Sequence, residues 1–228
     1  MRNITEISPL IELINNIDGL HHDHSANWLD KVNEPYNLKK NQVSDICFSN
    51  SLSEQRDIEI NAEFVQYMNQ YCENLKQVFF HPFYDFLDAD LKVISRVKDP
   101  ESRISKILHY MNGKNERGKV NLNKCLNDLF GFRVWMDEFD HNQECYDFIE
   151  SSLDNSRVKI HNSCKGDYRA THIYFNNGNN RFFPWELQIW LHKDDKTNIH
   201  SHSLHKQEYT QWAEIYKKTE FREVKSDV

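Results

Sequence analysis

Apolar residues recur along the chain with two different periods, and the change of period divides the sequence into two parts. In residues 4–18 they come at steps of three and four, the spacing of one helical face. A second such pattern runs from Ser53 to about His81. The polar residues 21–50 between them show no such period. We therefore predict a helical N-terminal extension over residues 1–90.

From residue 91 onward the pattern changes to short β-branched or aromatic segments, which are typical of strands. The five predicted strands are Lys92–Lys98, Phe130–Met136, Arg157–His161, Arg169–Phe175 and Phe182–Trp190. Helical patterns occur at residues 100–112, 141–153 and 194–218. This arrangement predicts an α/β (α+β) domain over residues 91–228, with a mixed sheet of about five strands flanked by helices.

Composition and length fit one folded core with an extension. The 228 residues are 39% hydrophobic, with only six glycines and five prolines, which argues against extensive disorder. No apolar stretch is long enough for a signal peptide or a membrane span, so we expect no membrane partner. The five cysteines form no CxxC pair, which favours reduced thiols in a cytoplasmic protein.

The charge of the chain is acidic overall but reverses locally. The net charge is −7, yet residues 91–120 contain eight Lys and Arg against three Asp and Glu. A confined basic segment in an acidic chain favours a small anionic ligand over a long polyanion. The acidic residues 1–90 could pack on the sheet, shield the basic segment or form the interface of a homo-oligomer, and the sequence leaves these alternatives open.

The basic segment contains a candidate phosphate site. The Asp-Pro-Glu sequence that follows the first predicted strand is typical of a helix N-terminus. Lys98, Ser102 and Lys106 recur at four-residue steps and should share one face, with Arg96 close by on the strand. Such a group of cations and a hydroxyl can bind a polyphosphate. A solvated basic face is the alternative.

Two carboxylates stand in apolar strand sequences, where an unpaired charge would be costly. Asp128 precedes the second predicted strand, and Glu186 lies within the last one, with Gln188 on the same strand face. Paired carboxylates with cations nearby are what Mg²⁺-dependent phosphoryl transfer requires, so we predict a magnesium site. A structural Asp128–Arg133 ion pair is the alternative.

The segment before the fourth predicted strand is a third candidate element. Gly166 permits a turn, and Tyr168 and His172 are four residues apart on the emerging strand, so they should face the same side. An aromatic ring in this position can stack on a nucleobase. Each of these residues taken singly is also common in the core or on the surface of a sheet.

Two groups of histidines do not have the spacing of a zinc site. The groups are His21, His22 and His24, and His200, His202 and His205. Neither has the i, i+4 spacing of a helical pair of ligands or a recognised Cys or carboxylate partner. We therefore predict polar surface histidines.

Four motifs, in this order and spacing, resemble the synthetase domain of the RelA/SpoT family, the alarmone synthetases that make (p)ppGpp. The motifs are RxKxxxSxxxK from Arg96 to Lys106, DLFGFR from Asp128 to Arg133, GDYRATH from Gly166 to His172, and ELQI from Glu186 to Ile189. The resemblance covers about residues 90–215. With neither a hydrolase nor a regulatory domain in the sequence, the chain is similar to a stand-alone small synthetase.

The resemblance implies a nucleotidyltransferase-like sheet and a GTP pyrophosphokinase, which moves the β,γ-pyrophosphate of ATP to the 3′-hydroxyl of GDP or GTP. The implied ATP residues are Arg96 and Arg133 at the adenine and Lys98, Ser102 and Lys106 at the phosphates. The implied catalytic and Mg²⁺-binding residues are Asp128 and Glu186, of which Glu186 also helps to deprotonate the hydroxyl. The implied acceptor residues are Tyr168, His172, Lys165 and Gln188.

The sequence departs from the family where the acceptor would bind. Family members often carry a Pro-Lys and an Asn before the acceptor tyrosine, whereas here only Lys165 could substitute, one position displaced. After ELQI, Trp190-Leu191 replaces the usual Arg-Thr. Two alternatives therefore stay open. One is a toxin-like relative that attaches pyrophosphate to the 3′ end of tRNA, and the other is a catalytically silent nucleotide-binding regulatory module.

Overall fold

The computed structural model describes residues 7–50, 57–78, 91–113, 117–153, 158–204 and 207. The helices are α1 (Ser8–Leu29), α2 (Ala62–Val78), α3 (Pro100–Leu108), α4 (Leu122–Cys125), α5 (Gln143–Ser152) and α6 (195–204). The strands are β1 (Cys47–Asn50), β2 (Asp57–Ile60), β3 (Val93–Val97), β4 (Phe130–Met136), β5 (Lys159–Asn162), β6 (Thr171–Phe175) and β7 (Trp185–Leu191). A π-helical turn, His109–Gly113, continues α3.

Five strands form one mixed sheet in the order β3-β4-β7-β6-β5. β4 and β7 are parallel, whereas the other neighbouring pairs are antiparallel. The predicted fold class and strand number are therefore confirmed. β4 has the predicted bounds, but β7 starts at Trp185 rather than Phe182, since Pro184 has no backbone N–H to donate to a ladder.

The two faces of the sheet have different roles, because alternate residues of a strand point to opposite faces. On one face of β7, Trp185 lies in the core, where its Nε1 donates a 2.7 Å hydrogen bond to the hydroxyl of Tyr71 in α2. The rings of His21 and His24 in α1 lie 5.1 and 5.8 Å from its ring. Glu186 belongs to the other face. The N-terminal helices thus pack on the sheet, behind the face that carries Glu186.

The N-terminal part is not wholly helical, and its first helix is longer than predicted. His21, His24 and Trp28 continue the three- and four-residue steps of Ile14 and Ile17, and all five are buried. The prediction ended the helix too early because the continuing stripe changes from aliphatic residues to histidines and tryptophan.

The predicted helix start at Ser53 is also wrong. β1 pairs with β2 from Cys47 opposite Ile60 to Asn50 opposite Asp57, so a two-stranded sheet precedes α2. The proposed domain boundary near residue 90 lies in 79–90, outside the described residues, and the division into 1–90 and 91–228 stays a prediction.

The predicted C-terminal helix over 194–218 is confirmed as far as the structure describes it, because residues 195–204 are helical and 208–218 lie outside the described part. None of the helices among the described residues combines the length and apolarity needed to cross a membrane. All five cysteines are free thiols, as predicted.

Candidate active site

A cleft of about 700 Å³ lies on the sheet face opposite α1 and α2, between α3, α6 and the loop that precedes β6. All the predicted site residues except Arg133 line it: Arg96, Lys98, Ser102, Lys106, Asp128, Lys165, Tyr168, His172, Glu186 and Gln188. Arg133 lines an adjoining cavity of about 90 Å³ together with Arg96 and Glu186. The fold therefore brings all the predicted residues into one region. No residue of the described N-terminal ranges 7–50 and 57–78 lines the cleft.

Strand register explains why distant motifs meet. Arg96 of β3 is opposite Gly131 of β4, Gly131 is opposite Glu186 of β7, and Glu186 is opposite Tyr174 of β6. Gly131 has no side chain, so the surface between Arg96 and Glu186 stays open and forms part of the smaller cavity. The first, second and fourth motifs are thus joined in one row across the sheet.

The N-terminus of α3 presents the basic segment to the cleft. Asp99 is its N-cap, as predicted, and accepts a 2.8 Å hydrogen bond from the backbone N–H of Ser102. The Ser102 hydroxyl also donates to Asp99, at 2.7 Å. This cap fixes the first turn of α3, from which Ser102 and Lys106 face the cleft on one side, as their spacing predicts.

Asp128 forms two ion pairs with lysines of the basic segment. Its Oδ2 lies 2.8 Å from Nζ of Lys98, and its Oδ1 lies 2.9 Å from Nζ of Lys106. Lys106 also donates a 2.9 Å hydrogen bond to the side-chain oxygen of Asn127. The cationic partners of Asp128 are therefore these lysines rather than Arg133, and the alternative of an Asp128–Arg133 pair is wrong.

The lysines keep Asp128 ionised although it is mostly buried. Burial on its own would raise the pKa of Asp128, but Lys106 and Lys98 outweigh it and hold that pKa well below its usual range. Burial likewise would lower the pKa of Lys106, whereas Asp128 raises it above its usual value. Asp128 and Lys106 are therefore both charged at neutral pH.

Glu186 is held by hydrogen bonds from its neighbours on the sheet. Nδ1 of His172 lies 3.0 Å from its Oε1, and Nε2 of Gln188 donates a 2.8 Å bond to its Oε2. Burial would raise the pKa of Glu186, but His172 and Gln188 lower it, so that the net pKa is below the usual value. Burial and the Glu186 charge in turn raise the pKa of Tyr174. Glu186 is therefore a buried carboxylate at neutral pH.

Arg133 is held by two side chains, Gln188 through hydrogen bonds and Trp190 through its ring. Its Nε and Nη2 donate to Oε1 of Gln188 at 3.2 and 2.9 Å. Its guanidinium lies 3.5 Å from the ring centre of Trp190. Burial lowers the pKa of Arg133 without neutralising it. Arg133 thus presents a fixed cation beside Arg96.

The loop before β6 makes a tight turn that directs Tyr168 into the cleft. Gly166 has φ +59°, in the left-handed region that glycine adopts most readily. Lys165 and Tyr168 exchange two backbone hydrogen bonds of 3.0 Å across it. The Tyr168 hydroxyl lies 2.9 Å from Nε2 of His172, which confirms that the two face the same side. Burial raises the pKa of Tyr168 to about 12, so its hydroxyl keeps its proton.

No site role was predicted from the sequence for three residues that belong to this region: His202, Tyr174 and Trp190. Tyr174 alternates with His172 along β6, so the two-residue period could have revealed it. Trp190 follows Gln188 by the same period but is fully buried beneath Arg133. His202 lines both cavities from α6. Burial, Arg96, Arg133 and Lys98 lower the pKa of His202 to about 4, so it is neutral at neutral pH.

The prediction of surface histidines is correct for His22 and His200. It is wrong for His21 and His24, which are buried, and for His202, which is partly buried and lines the cleft. Nε2 of His21 lies 3.0 Å from the backbone oxygen of Phe183, and its Nδ1 lies 2.7 Å from Nδ2 of Asn177. These buried histidines belong to the core behind the sheet. His205 lies outside the described residues.

The two carboxylates fit a magnesium ion better than a zinc ion. Mg²⁺ takes oxygen ligands and is usually bound by one or two carboxylates together with substrate phosphates and water. Asp128 and Glu186 are both ionised, line the same cleft and are close enough for Asp128 to oppose the ionisation of Glu186. Within the described ranges, no group of three His, Cys, Asp or Glu side chains could hold a metal ion on its own.

No protein-family model matches this sequence, and no curated protein matches it. Similar solved structures include smu.1046c from Streptococcus mutans, which is 20% identical with a TM-score of 0.36 and is matched over 72% of this chain and 95% of that chain. Small alarmone synthetase 2 from Bacillus subtilis is 18% identical with a TM-score of 0.35, over 73% and 98% of the two chains.

A further similar structure is small alarmone synthetase 1 from Bacillus subtilis, bound to its product pppGpp. It is 15% identical with a TM-score of 0.33, over 72% of this chain and 90% of that chain. Two of these three structures are synthetases of the kind that the motifs resemble.

Proposed function

We propose that this protein is a pyrophosphokinase that transfers the β,γ-pyrophosphate of ATP to the 3′-hydroxyl of GDP or GTP and so makes (p)ppGpp. The observation that carries the proposal is the composition of the cleft. Two carboxylates, the mostly buried Asp128 and the buried Glu186, line it together with the cations of α3 and β3. At about 700 Å³, the cleft is within the size range of small-molecule sites.

Lys98 and Lys106 would neutralise the phosphates of ATP. Their ammonium groups lie 2.8 and 2.9 Å from Asp128, and phosphoryl transfer depends on cations placed around the transferred group. Arg96 and Arg133 border the adjoining cavity with His202, and we assign the adenine to that cavity. Ser102 lies on the cleft side of α3, next to the phosphates in this arrangement.

Asp128 and Glu186 would hold Mg²⁺. When bound, the ion supplies positive charge that neutralises the phosphate oxygens. Glu186 is the better candidate for a proton acceptor, because its partners are a histidine and an amide, whereas both oxygens of Asp128 are bound by ammonium groups. Glu186 would therefore take the proton of the attacking 3′-hydroxyl.

Tyr168 would stack on the guanine of the acceptor. Its hydroxyl is held by His172, which leaves the ring as the surface offered to a base. Lys165 lies at the mouth of the same turn, and Gln188 joins Glu186 to Arg133. These residues would orient the acceptor so that its 3′-hydroxyl is in line with the transferred group.

The test is a transfer assay with the purified protein, γ-labelled ATP and Mg²⁺, offered GDP, GTP or deacylated tRNA in separate reactions. We expect label on GDP or GTP, and we expect chelation of Mg²⁺ to stop the transfer. Label on tRNA alone would replace the proposed acceptor by the tRNA 3′ end. Nucleotide binding without transfer to any acceptor would favour the silent regulatory module.

A further inference from the structure

Trp190 directly follows the ELQI motif, and the fold buries it inside the site region. It has no exposed surface and lines neither of the two cavities. A ligand in the cleft therefore cannot touch it directly. Any effect of Trp190 on the reaction has to pass through the side chains that it contacts.

Trp190 contacts one residue from each proposed nucleotide site. The Arg133 guanidinium lies 3.5 Å from its ring centre, well inside the range of a cation–π contact. The Tyr168 ring lies 6.0 Å away at an interplanar angle of 86°, which is the edge-to-face arrangement that aromatic pairs prefer. Trp190 thus supports both Arg133, which is assigned to ATP, and Tyr168, which is assigned to the nucleotide that receives the pyrophosphate.

These contacts form a closed ring of side chains that includes Glu186. From Trp190 the contacts lead through Arg133 and Gln188 to one oxygen of Glu186. In the other direction they lead through Tyr168 and His172 to the other oxygen. A displacement of either Arg133 or Tyr168 is therefore transmitted to the other through Trp190 and to the carboxylate through hydrogen bonds.

We propose that Trp190 is a positioning residue that couples the ATP site to the acceptor site by fixing Arg133 and Tyr168 at the same time. This inference rests on the proposed function for the identity of the two nucleotides. Binding of either nucleotide orders the shared support, so the second nucleotide binds to a site that is already ordered. An arginine at this position would place a second guanidinium against Arg133, which like-charge repulsion disfavours.

The test compares Trp190→Leu, Trp190→Phe and Trp190→Arg with the parent protein. The control is Trp28→Leu, which removes another buried tryptophan, one that packs on Tyr67 and Tyr71 behind the sheet. For each protein, calorimetry measures the dissociation constants of a non-hydrolysable ATP analogue and of GDP, each alone and with the other present. Steady-state kinetics gives kcat and both KM values.

For Trp190→Leu we expect both dissociation constants to rise about 3- to 10-fold, which is the range of a lost cation–π or aromatic contact. The factor by which one nucleotide tightens the other should fall towards one. Trp190→Phe should recover most of the coupling, and Trp190→Arg should recover none.

Two results would overturn the proposal. The first is a Trp190→Leu protein that loses only thermal stability, as Trp28→Leu should, while its coupling factor stays that of the parent. The second is a change in the affinity for one nucleotide alone. If the parent transfers no pyrophosphate but binds both nucleotides, the proposed function fails, and the binding measurements still decide the role of Trp190.

Discussion

The two carboxylates of the cleft differ in burial and in how they are stabilised, since the side chain of Asp128 is 21% exposed and that of Glu186 is 8% exposed. Asp128 is paired with two lysines at 2.8 and 2.9 Å, so permanent cations keep it charged. Glu186 is held by a histidine at 3.0 Å and by an amide at 2.8 Å. In both cases the neighbours outweigh burial and lower the pKa.

In the proposed function this difference would make Asp128 the carboxylate that holds cations and Glu186 the carboxylate that accepts the proton. The Asp128 cluster is an ion triplet, and in the proposed function its lysines would turn to the phosphates of ATP. The Glu186 oxygens are bound by groups that neither carry a permanent charge nor fill the carboxylate's whole coordination. The predictions below test this division of roles.

The largest expected effect is on turnover in Glu186→Gln. The amide keeps the size of the side chain but cannot accept a proton, and general base catalysis contributes about 10²- to 10⁴-fold. We expect kcat to fall by that factor while the thermal unfolding temperature changes little. The matched control is Glu150→Gln, at an exposed position of α5, which should keep full activity. Unchanged turnover in Glu186→Gln would remove Glu186 from the chemistry.

The next effect is on stability and distinguishes the two carboxylates. Asp128→Asn leaves Lys98 and Lys106 facing each other without a counter-charge, and breaking such a mostly buried pair costs about 3 kcal/mol. Glu186→Gln should cost under about 1 kcal/mol, because its partners can still form hydrogen bonds. Urea unfolding of both variants measures the contrast.

Equal losses in Asp128→Asn and Glu186→Gln would contradict the comparison. Asp128→Ala would also remove the counter-charge of the two lysines and should therefore weaken the fold. A transfer assay on that variant would confuse a missing ligand with a weakened fold. Phosphate or ATP added without metal should partly restore the stability of Asp128→Asn, because the anion supplies the missing negative charge.

Features of the site that depend on neighbouring residues in the sequence could be predicted, whereas contacts between distant segments could not. The helix N-cap at Asp99, the shared face of Ser102 and Lys106, and the Glu186–Gln188 pair follow from local periods, and the structure confirms them. The five strands of the sheet also follow from local patterns of β-branched and aromatic residues. The motifs chosen by resemblance line one cleft, although their roles stay predictions.

The remaining contacts depend on strand order, which local patterns do not contain. The parallel pairing of β4 with β7 places Arg133 beside Gln188 and Trp135 beside Trp190. No period in the sequence shows that Trp190 supports Arg133. In the same way the histidines of α1 read as polar surface residues, because only the packing of α1 on Trp185 makes them part of the core.

A pH titration separates protonation of Glu186 from loss of the fold. Burial, followed by nearby charges, lowers the pKa values of His21 and His24 from 6.5 to about 4. Between these values the unfolded chain binds protons more readily than the folded chain, so stability is complete above pH 6.5 and falls as the pH drops towards 4. Each histidine should cost on the order of 2 kcal/mol at pH 5.

The pKa of Glu186 lies below 4.5, so this carboxylate is still ionised at pH 5. We therefore expect activity lost at pH 5 to follow unfolding. The free energy of unfolding at pH 7 and pH 5 should differ less in His24→Gln than in the parent, whereas exposed His22→Gln should show the parent's difference. Activity that disappears at pH 5 in a fully folded protein would place a titrating group in the cleft instead.

The smallest expected effect comes from Tyr168→Phe, which removes one hydroxyl and keeps the ring. The hydroxyl holds His172 at 2.9 Å, and His172 holds Glu186 at 3.0 Å, so the loss should weaken the orientation of Glu186 only indirectly. We expect kcat to fall about 2- to 5-fold, the equivalent of one neutral hydrogen bond, with an unchanged KM for the acceptor.

Tyr168→Leu should instead raise that KM about 10-fold or more, because a stacked base is worth about 1–3 kcal/mol. The two variants together distinguish the ring, which belongs to acceptor binding, from the hydroxyl, which belongs to the Glu186 network. A Tyr168→Phe protein that loses acceptor affinity while keeping its kcat would reverse that assignment and would remove the contact by which the acceptor side reaches Glu186.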